Sequence, residues 1–296
     1  MSIYSLLLEP FVNYGFMRRA LIASIVLAVS AGPVGVLLVL RRMSLVGDAM
    51  SHAVLPGAAI GFLLAGGLSL PAMGAGGLIA GLLVAVFAGF VSRNTQLEED
   101  ASFAGFYVTA LALGVLIVSL HGSSTDLLHV LFGSILAVDQ VALLLVAAIA
   151  SCTLLILAVI YRPLVMECFD PGFMRHMAAG GTLYYLLCLL LLVLNLVAGF
   201  QTLGTLMAIG MMLLPAIIAR LWASSLPAMF LLAAVTGSVS AYVGLLLSYY
   251  FQFASGPCII LVASCIYLVS LCLAPTGLLR QWFPQSHFKV DGEPSA

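Results

Sequence analysis

Charged residues are what this sequence has least of. Only 7% of its 296 residues are Asp, Glu, Lys or Arg, and 64% are hydrophobic, whereas an ordinary soluble domain carries about 25% charged residues. So few charges cannot cover the surface of a water-soluble body of this size, but a surface that faces lipid needs none. A soluble fold is therefore excluded, and the composition predicts an all-α, polytopic bundle of membrane helices surrounded by lipid.

Basic residues are scarce as well, and this excludes two functions. The net charge is −1 and Lys289 is the only lysine, so there is no basic cluster of the kind that neutralises the phosphates of a nucleic acid. A Walker-type ATPase needs the loop G-x-x-x-x-G-K-[ST], which does not occur. Any ATP hydrolysis is therefore expected on a separate partner subunit.

Common catalytic and metal-binding motifs are also missing. The six cysteines never form the C-x-x-C spacing of a structural zinc or redox site. No H-E-x-x-H occurs, and residues 237–241 do not complete the G-x-S-x-G turn of a serine hydrolase. We therefore expect that the chain is not an enzyme, which also disfavours the alternative of an intramembrane protease. We expect no permanently bound cofactor.

Long apolar runs are what the sequence does have. A transmembrane helix needs about 20 mostly apolar residues, and about nine such stretches occur, separated by the few charges. The stretch 127–138 is too short to cross and is predicted to be a re-entrant or surface helix. Residues 1–280 are predicted to form one transmembrane domain and residues 281–296 a polar tail. The nine stretches are 20–40, 48–66, 72–92, 103–120, 140–161, 182–199, 202–220, 226–250 and 257–275.

The basic residues also predict an orientation. Short cytoplasmic loops retain Lys and Arg, and nearly all of them fall inside if the segment 162–181 is cytoplasmic. Arg18 and Arg19 are the exceptions, because nine spans with an inside C-terminus leave them outside. Either the N-terminus is external, or the count is wrong by one at that end.

Asp48 and His52 form the most informative pair. They are four residues apart, so on a helix they share a face and can hold one ion together, and ionisable residues within a membrane mark a pathway or site by default. Imidazole with carboxylate suits zinc, manganese or iron, whereas calcium and magnesium prefer oxygen alone. The alternative is that Asp48 caps the helix and His52 is an ordinary core histidine.

Pro56 lies one turn further along the same stretch. Proline has no N–H and cannot donate the helical hydrogen bond to the carbonyl four residues back, which here belongs to His52. This carbonyl is therefore predicted to be free. The helix is predicted to be broken at this point, as helices are at transporter sites. A stripe of small residues on the same helix would let another helix approach; it comprises Ala49, Ala53, Gly57 and Gly61.

The run from Arg41 to Gly61, RRMSLVGDAMSHAVLPGAAIG, resembles the signature of the ABC-3 family of zinc and manganese ABC-transporter permeases. The resemblance continues through residues 131–136, Asp170-Pro171, 204–206 and 214–216, and so covers most of the chain. It implies a fold similar to the vitamin B12/siderophore-type (type II) ABC importer permeases, with Asp48 and His52 lining the metal path. The partners it implies are an ATP-binding-cassette ATPase, an extracytoplasmic metal-binding protein and a second permease copy in a homodimer, in the bacterial inner membrane.

Several other residues are candidates for the path or its gate. Gly204, Gly210 and Pro215 are predicted to interrupt the seventh span, although a packing kink explains them equally. Asn195 is a lone polar residue in the sixth span, and a bond to a neighbouring helix is favoured over a metal. The full candidate set is Ser51, Pro56, Asn195, Gly204, Thr205 and Pro215.

The longest basic loop predicts a short docking helix for the ATPase. Asp170 suits the N-cap, Pro171 the first helical position, and Gly180-Gly181 a stop. An amphipathic loop lying on the membrane is the alternative. The ATPase-docking residues are predicted to be Asp170, Pro171, Phe173, Met174, Met177 and Gly180.

Two questions stay open at the level of sequence. His121, Asp126 and His129 fall in an external loop, where they either guide a metal or are simply solvated. A secondary transporter driven by an ion gradient is the alternative function, but it would need intramembrane carboxylates, and apart from Asp48 and Asp139 the predicted spans contain almost none.

Overall fold

The computed structural model describes residues 7–67, 69–120, 138–169 and 181–275. Within these ranges the chain forms helices and no strand, and nine of the helices are long and apolar enough to cross a membrane. In chain order the helices are α1 (Glu9–Asn13), α2 (Gly15–Leu40), α3 (Ser44–Ala65), α4 (Leu70–Asn94), α5 (Glu99–Leu120), α6 (Gln140–Phe169), α7 (Gly181–Leu203), α8 (Thr205–Trp222), α9 (Leu226–Phe251) and α10 (Ser255–Leu273). The predicted all-α membrane bundle is therefore confirmed.

The helix ends differ from the predicted spans where charged residues stand. α2 begins at Gly15 and so includes Arg18 and Arg19. α5 begins at Glu99, and its acidic first turn stabilises the helix because negative side chains interact favourably with a helix N-terminus. α6 runs on through Pro163 to Phe169 and so includes Glu167. The prediction that the spans contain almost no carboxylates was therefore wrong, because charges at the ends of apolar runs had been assigned to loops.

A single residue, Gly204, separates α7 from α8. Its φ of 90° is a conformation that side-chain-bearing residues rarely adopt, so glycine permits this reversal between two long helices. Gly210 and Pro215 lie inside one continuous helix, α8. The predicted interruption of the seventh span is thus wrong for these two residues.

Contacts at the helix ends define two ends of the bundle. At one end Arg41 lies near Glu99, and Arg93 bonds to Glu167. At the other end the start of α4 meets the end of α7, where Gln201 packs on Gly74. We call these the basic end and the opposite end, and the basic end corresponds to the predicted cytoplasmic side.

The predicted re-entrant stretch lies between α5 and α6 in the chain. That stretch, 127–138, lies outside the described residues apart from Val138. α5 starts and α6 finishes at the basic end, so the last residue of α5 and the first of α6 both lie at the opposite end. The re-entrant or surface helix stays a prediction.

Close packing of α3 brings the site together. The last two residues of the small-residue stripe lie against α4, since a Cβ added to Gly57 would stand 2.1 Å from the carbonyl oxygen of Gly76, and one added to Gly61 2.3 Å from that of Ala72. On another side of α3, Gly114 of α5 packs against Pro56. α2 and α7 are the most buried of the nine spans, and α5, α6 and α10 are the least.

Candidate functional site

Asp48 and His52 lie on one face of α3, as their spacing predicts. The nearest atoms, His52 Nε2 and Asp48 Oδ1, are 3.9 Å apart. The Asp48 side chain is 58% exposed and that of His52 41% exposed, so both are accessible from outside this single chain. The interpretation of His52 as a wholly buried core histidine does not fit this placement.

α3 is continuous through Pro56, so the predicted helix break is wrong. Proline still removes the bond to the carbonyl of His52, but its ring is buried against Gly114, where a Cβ would lie 3.2 Å from Pro56 Cα. Packing by α5 supports the helix at this point. The site thus consists of side chains on an unbroken helix, beside a carbonyl without its usual partner.

α5 supplies the second wall of the site. It runs in the same direction as α3, with Asp100 near the level of Asp48 and the ring of Tyr107 6.0 Å from that of His52. Between the two helices lies a cleft of about 170 Å³. Its lining residues are Leu45, Val46, Asp48, Ala49, Asp100, Phe103, Ala104 and Tyr107.

Asp100 is the residue of this cleft that sequence reasoning missed. Its Oδ1 atom is buried and makes no hydrogen bond within the described ranges, so a second carboxylate lines the cleft that Asp48 lines. The signal in the sequence was the acidic run 98–100 directly before an apolar stretch. Only the tertiary pairing of α3 with α5 connects that run to Asp48.

The geometry of Asp48 and His52 fits a shared cation. Two donors on one ion can be at most about 4.2 Å apart, because each bond to a transition metal is about 2.1 Å long, and the observed 3.9 Å is within that limit. Among the described residues no group of three His, Cys, Asp or Glu side chains is arranged for a metal. Two protein donors suit an ion in transit, since a transported ion must also leave.

The other path candidates are spread through the bundle. Ser51 is buried and donates to the backbone oxygen of Asp48 at 2.7 Å. Asn195 is buried between α7 and α6 and donates to Thr153 Oγ1 at 2.9 Å, which is the favoured contact with a neighbouring helix. Thr205 begins α8, and Pro215 lies buried in it. The structure brings none of these four into the lining of the cleft, and their role in a path stays a prediction.

Two predicted features fall where the structure describes nothing. The docking residues Asp170, Pro171, Phe173, Met174, Met177 and Gly180 lie outside the described residues, as do His121, Asp126 and His129. The flanks of the docking segment are described: α6 ends at Phe169, and α7 begins at Gly181.

The sequence also matches a known family model. Residues 13–274 match the model of the ABC 3 transport family. The chain belongs to this family. The match spans all nine long helices and includes Asp48, His52 and Asp100.

Relatives of this ABC 3 family chain are similar over nearly their whole length. The manganese import system permease protein ScaB of Streptococcus parasanguinis is 36% identical over 275 residues, which is 93% of this chain and 96% of the relative. The chelated iron transport system membrane protein YfeD of Yersinia pestis is 33% identical over 269 residues, covering 91% and 89%.

Solved structures agree with the fold. PsaBC from Streptococcus pneumoniae in complex with Fab matches with a TM-score of 0.81 and 33% identity over 94% of this chain and 98% of that chain. An inward-facing putative metal-chelate type ABC transporter matches with a TM-score of 0.64 at 16% identity, which supports the fold alone. With nine candidate spans in the part of the chain that the structure describes, this ABC 3 family chain is a multi-pass protein of the bacterial inner membrane.

Proposed function

We propose that this chain is the membrane-spanning permease subunit of an ATP-driven importer for a divalent transition-metal ion, with manganese or iron as cargo. The observation that carries the proposal is the pair Asp48 and His52, 3.9 Å apart on an exposed helix face. Asp100 adds a second carboxylate to the same cleft. The names of the relatives, which refer to manganese import and chelated-iron transport, agree with this chemistry.

The choice of cargo follows from the donor set. Carboxylate and carbonyl oxygens suit manganese, and imidazole suits iron and zinc. The cleft is lined by two carboxylates, Asp48 and Asp100, and the imidazole of His52 lies beside Asp48. These donors are richer in oxygen than in nitrogen, so manganese(II) is the preferred ion. Zinc, which the sequence resemblance also allows, has a weaker claim on this cleft.

A second copy of the chain completes the path. A carboxylate exposed to hydrocarbon is costly, and more than half of the Asp48 side chain is exposed in the single chain. A homodimer that places two such faces opposite each other would remove the charges from lipid and enclose a route for the ion. The many exposed apolar side chains on the other helices would face membrane lipid.

Energy and delivery come from other subunits. The chain has no phosphate-binding loop, so an ATP-binding-cassette subunit hydrolyses ATP and docks at the segment 170–180. A metal-binding protein delivers the ion at the external face. Closure of the ATPase pair then rocks the permease pair between outward-facing and inward-facing states, and the ion passes Asp48 and His52 on its way in.

Uptake of manganese(II) by the assembled importer tests this proposal. The chain is co-expressed with its ATPase and binding protein, and the double variant Asp48→Ala/His52→Ala is compared with wild type. Loss of both donors is expected to lower the uptake rate at least tenfold while co-purification with the ATPase is unchanged. Normal uptake by the double variant would refute the site.

Asp139→Asn is the matched control. Asp139 Oδ1 accepts a hydrogen bond from the backbone N–H of Ala142 at 2.7 Å, so this carboxylate acts as a helix cap outside the cleft. Asparagine caps equally well, and uptake should stay within about twofold of wild type. Competition with iron(II) and zinc(II) in the same assay identifies the preferred cargo.

A further inference from the structure

The basic end of the bundle contains a cluster of charged side chains that the proposed path does not use. Arg93 of α4 donates a hydrogen bond to Glu167 of α6, and Arg41, which follows α2, lies 3.6 Å from Glu99 of α5. Glu167 is wholly buried, and the Arg41 and Arg93 side chains are less than 10% exposed. Two positive and two negative side chains thus meet at one end of the bundle, in a chain that has few charged residues.

Tyr185 of α7 joins the two ion pairs into one network. The guanidinium carbons of Arg93 and Arg41 lie 4.2 Å and 4.8 Å from the centre of its ring. Tyr185 is itself buried, so it is held between two cations, each of which is attracted to the ring. The network therefore connects five parts of the chain: the turn after α2, and helices α4, α5, α6 and α7.

The position of the network links the docking segment to the metal helix. Glu167 lies three residues before Asp170, and Tyr185 lies five residues after Gly180. The helices on both sides of the segment 170–180, α6 and α7, therefore each contribute a residue to the network. Arg41 lies three residues before the start of α3, which carries Asp48 and His52. Arg93 stands on α4, the helix that packs against α3 through Gly57 and Gly76.

Stability alone does not account for this arrangement. A buried ion pair contributes little net stability compared with a well-packed apolar pair of similar size, because desolvation offsets the attraction. Ionisable residues within a membrane protein are rare and are by default functional. A rigid set of directional bonds across five segments is, however, well suited to moving those segments together.

We propose that Arg41, Arg93, Glu99, Glu167 and Tyr185 form a coupling network that transmits movement of the ATPase-docking segment to α3 and its metal donors. This rests on the proposed function, in which segment 170–180 binds the ATPase. When the docked segment moves, the flanking ends of α6 and α7 move too, and they carry Glu167 and Tyr185. The arginines carry that displacement to the start of α3 and to α4.

The double variant Arg93→Met/Glu167→Leu tests the network in the intact importer. An apolar pair leaves no unpaired charge, so a purely structural role would be fulfilled by it. We expect the permease to co-purify with its ATPase and the complex to hydrolyse ATP, while manganese(II) uptake into proteoliposomes falls at least tenfold. Uptake within twofold of wild type overturns the proposal, and so does loss of co-purification, which would assign the network to assembly.

Tyr185 provides an independent pair of variants. Tyr185→Phe keeps the ring that both arginines contact and should leave uptake within twofold of wild type. Tyr185→Leu removes the ring and should uncouple ATP hydrolysis from uptake. Equal behaviour of the two variants, whether both normal or both inactive, contradicts the proposed role of the ring.

Two further variants separate coupling from packing and from docking. Ser102→Ala removes a buried hydrogen bond between α5 and the Ala88 carbonyl of α4, at 2.8 Å, and should not change uptake because it lies outside the network. Met174→Pro in the docking segment should abolish co-purification. If this proline variant still binds the ATPase, the docking assignment fails, and that result is distinct from every outcome for the network variants.

Discussion

Single residues set the charge that a passing cation meets in the cleft. Asp48 and His52 come from α3, whereas Asp100 and Tyr107 come from α5. Because Asp100 lies in the same cleft as Asp48, a divalent ion on the proposed path would be attracted by two carboxylates. The strength of attraction therefore depends on how these two helices pack, and not on one motif alone.

Asp100→Asn should weaken capture of the ion without removing the donor pair. Loss of one partly exposed charge corresponds to about 1 kcal/mol, or roughly a fivefold change in an equilibrium constant. We expect the KM for manganese(II) uptake to rise about fivefold or more, with a smaller change in the maximal rate. Glu98→Gln, at an exposed neighbour outside the cleft, should leave both parameters unchanged. If the two variants behave alike, Asp100 has no specific place in the path.

Local spacing was enough to predict part of this site. Asp48 and His52 are four residues apart on one helix, so their common face follows from helix geometry alone. Asp100 and Tyr107 belong to a helix about 50 residues later, and their position beside the pair depends on the packing of Gly114 against Pro56. No local pattern contains that information.

Helices rather than residues determine how closely the site is held. α3 and α4 approach until backbone meets backbone, with Gly57 and Gly76 facing each other. In a membrane, where lipid is as apolar as a side chain, such close packing between small residues is a main source of helix association. Gly57 and Gly61 of the predicted small-residue stripe therefore have a definite partner in α4, which fixes the position of α3 at the cleft.

Gly57→Ala tests this contact. The added Cβ would lie 2.1 Å from the Gly76 carbonyl oxygen and 2.6 Å from the Ala80 Cβ, so the helices must separate. Overpacking of this kind costs about 1–3 kcal/mol, and we expect a lower Tm of the purified permease together with reduced uptake. Gly67→Ala is the control, since nothing lies within 4 Å of its added Cβ. An unchanged Tm for Gly57→Ala would show that the two helices are not held at this distance.

Hydropathy predicted the existence of the nine helices, but not their ends. The apolar windows give the spans because every backbone polar group in lipid must be bonded within a helix. Glu99 and Glu167 lie in the helices although they were assigned to loops, because Arg41 and Arg93 neutralise them at the basic end. Pairing between distant helices therefore moves the ends of α5 and α6 beyond the limit that composition alone suggests.

At the scale of the whole molecule, contacts between helices show at which end of the bundle the start of α2 lies. Arg41, Arg93, Glu99, Glu167 and Tyr185 all meet at the basic end. Tyr14, before α2, lies beside Tyr249 near the end of α9, at the opposite end. Tyr14 and the adjacent Asn13 therefore lie at the opposite end, which the predicted orientation places outside even though Arg18 and Arg19 follow them.

Cysteine labelling of intact cells checks this topology. In a chain whose native cysteines are replaced by serine, single cysteines at the exposed positions Asn13 and Ala254 and at the half-buried Gly67 should react with a membrane-impermeant maleimide added outside. Cysteines at Gln96 and Ser224 should react only after lysis. Protection of Asn13→Cys with labelling of the other two external positions would place the N-terminus inside and contradict α2 as a full span. If only one of Gly67→Cys and Ala254→Cys is labelled from outside, the chain between α5 and α6 crosses the membrane. That result would contradict the arrangement that brings Glu167 to Arg93.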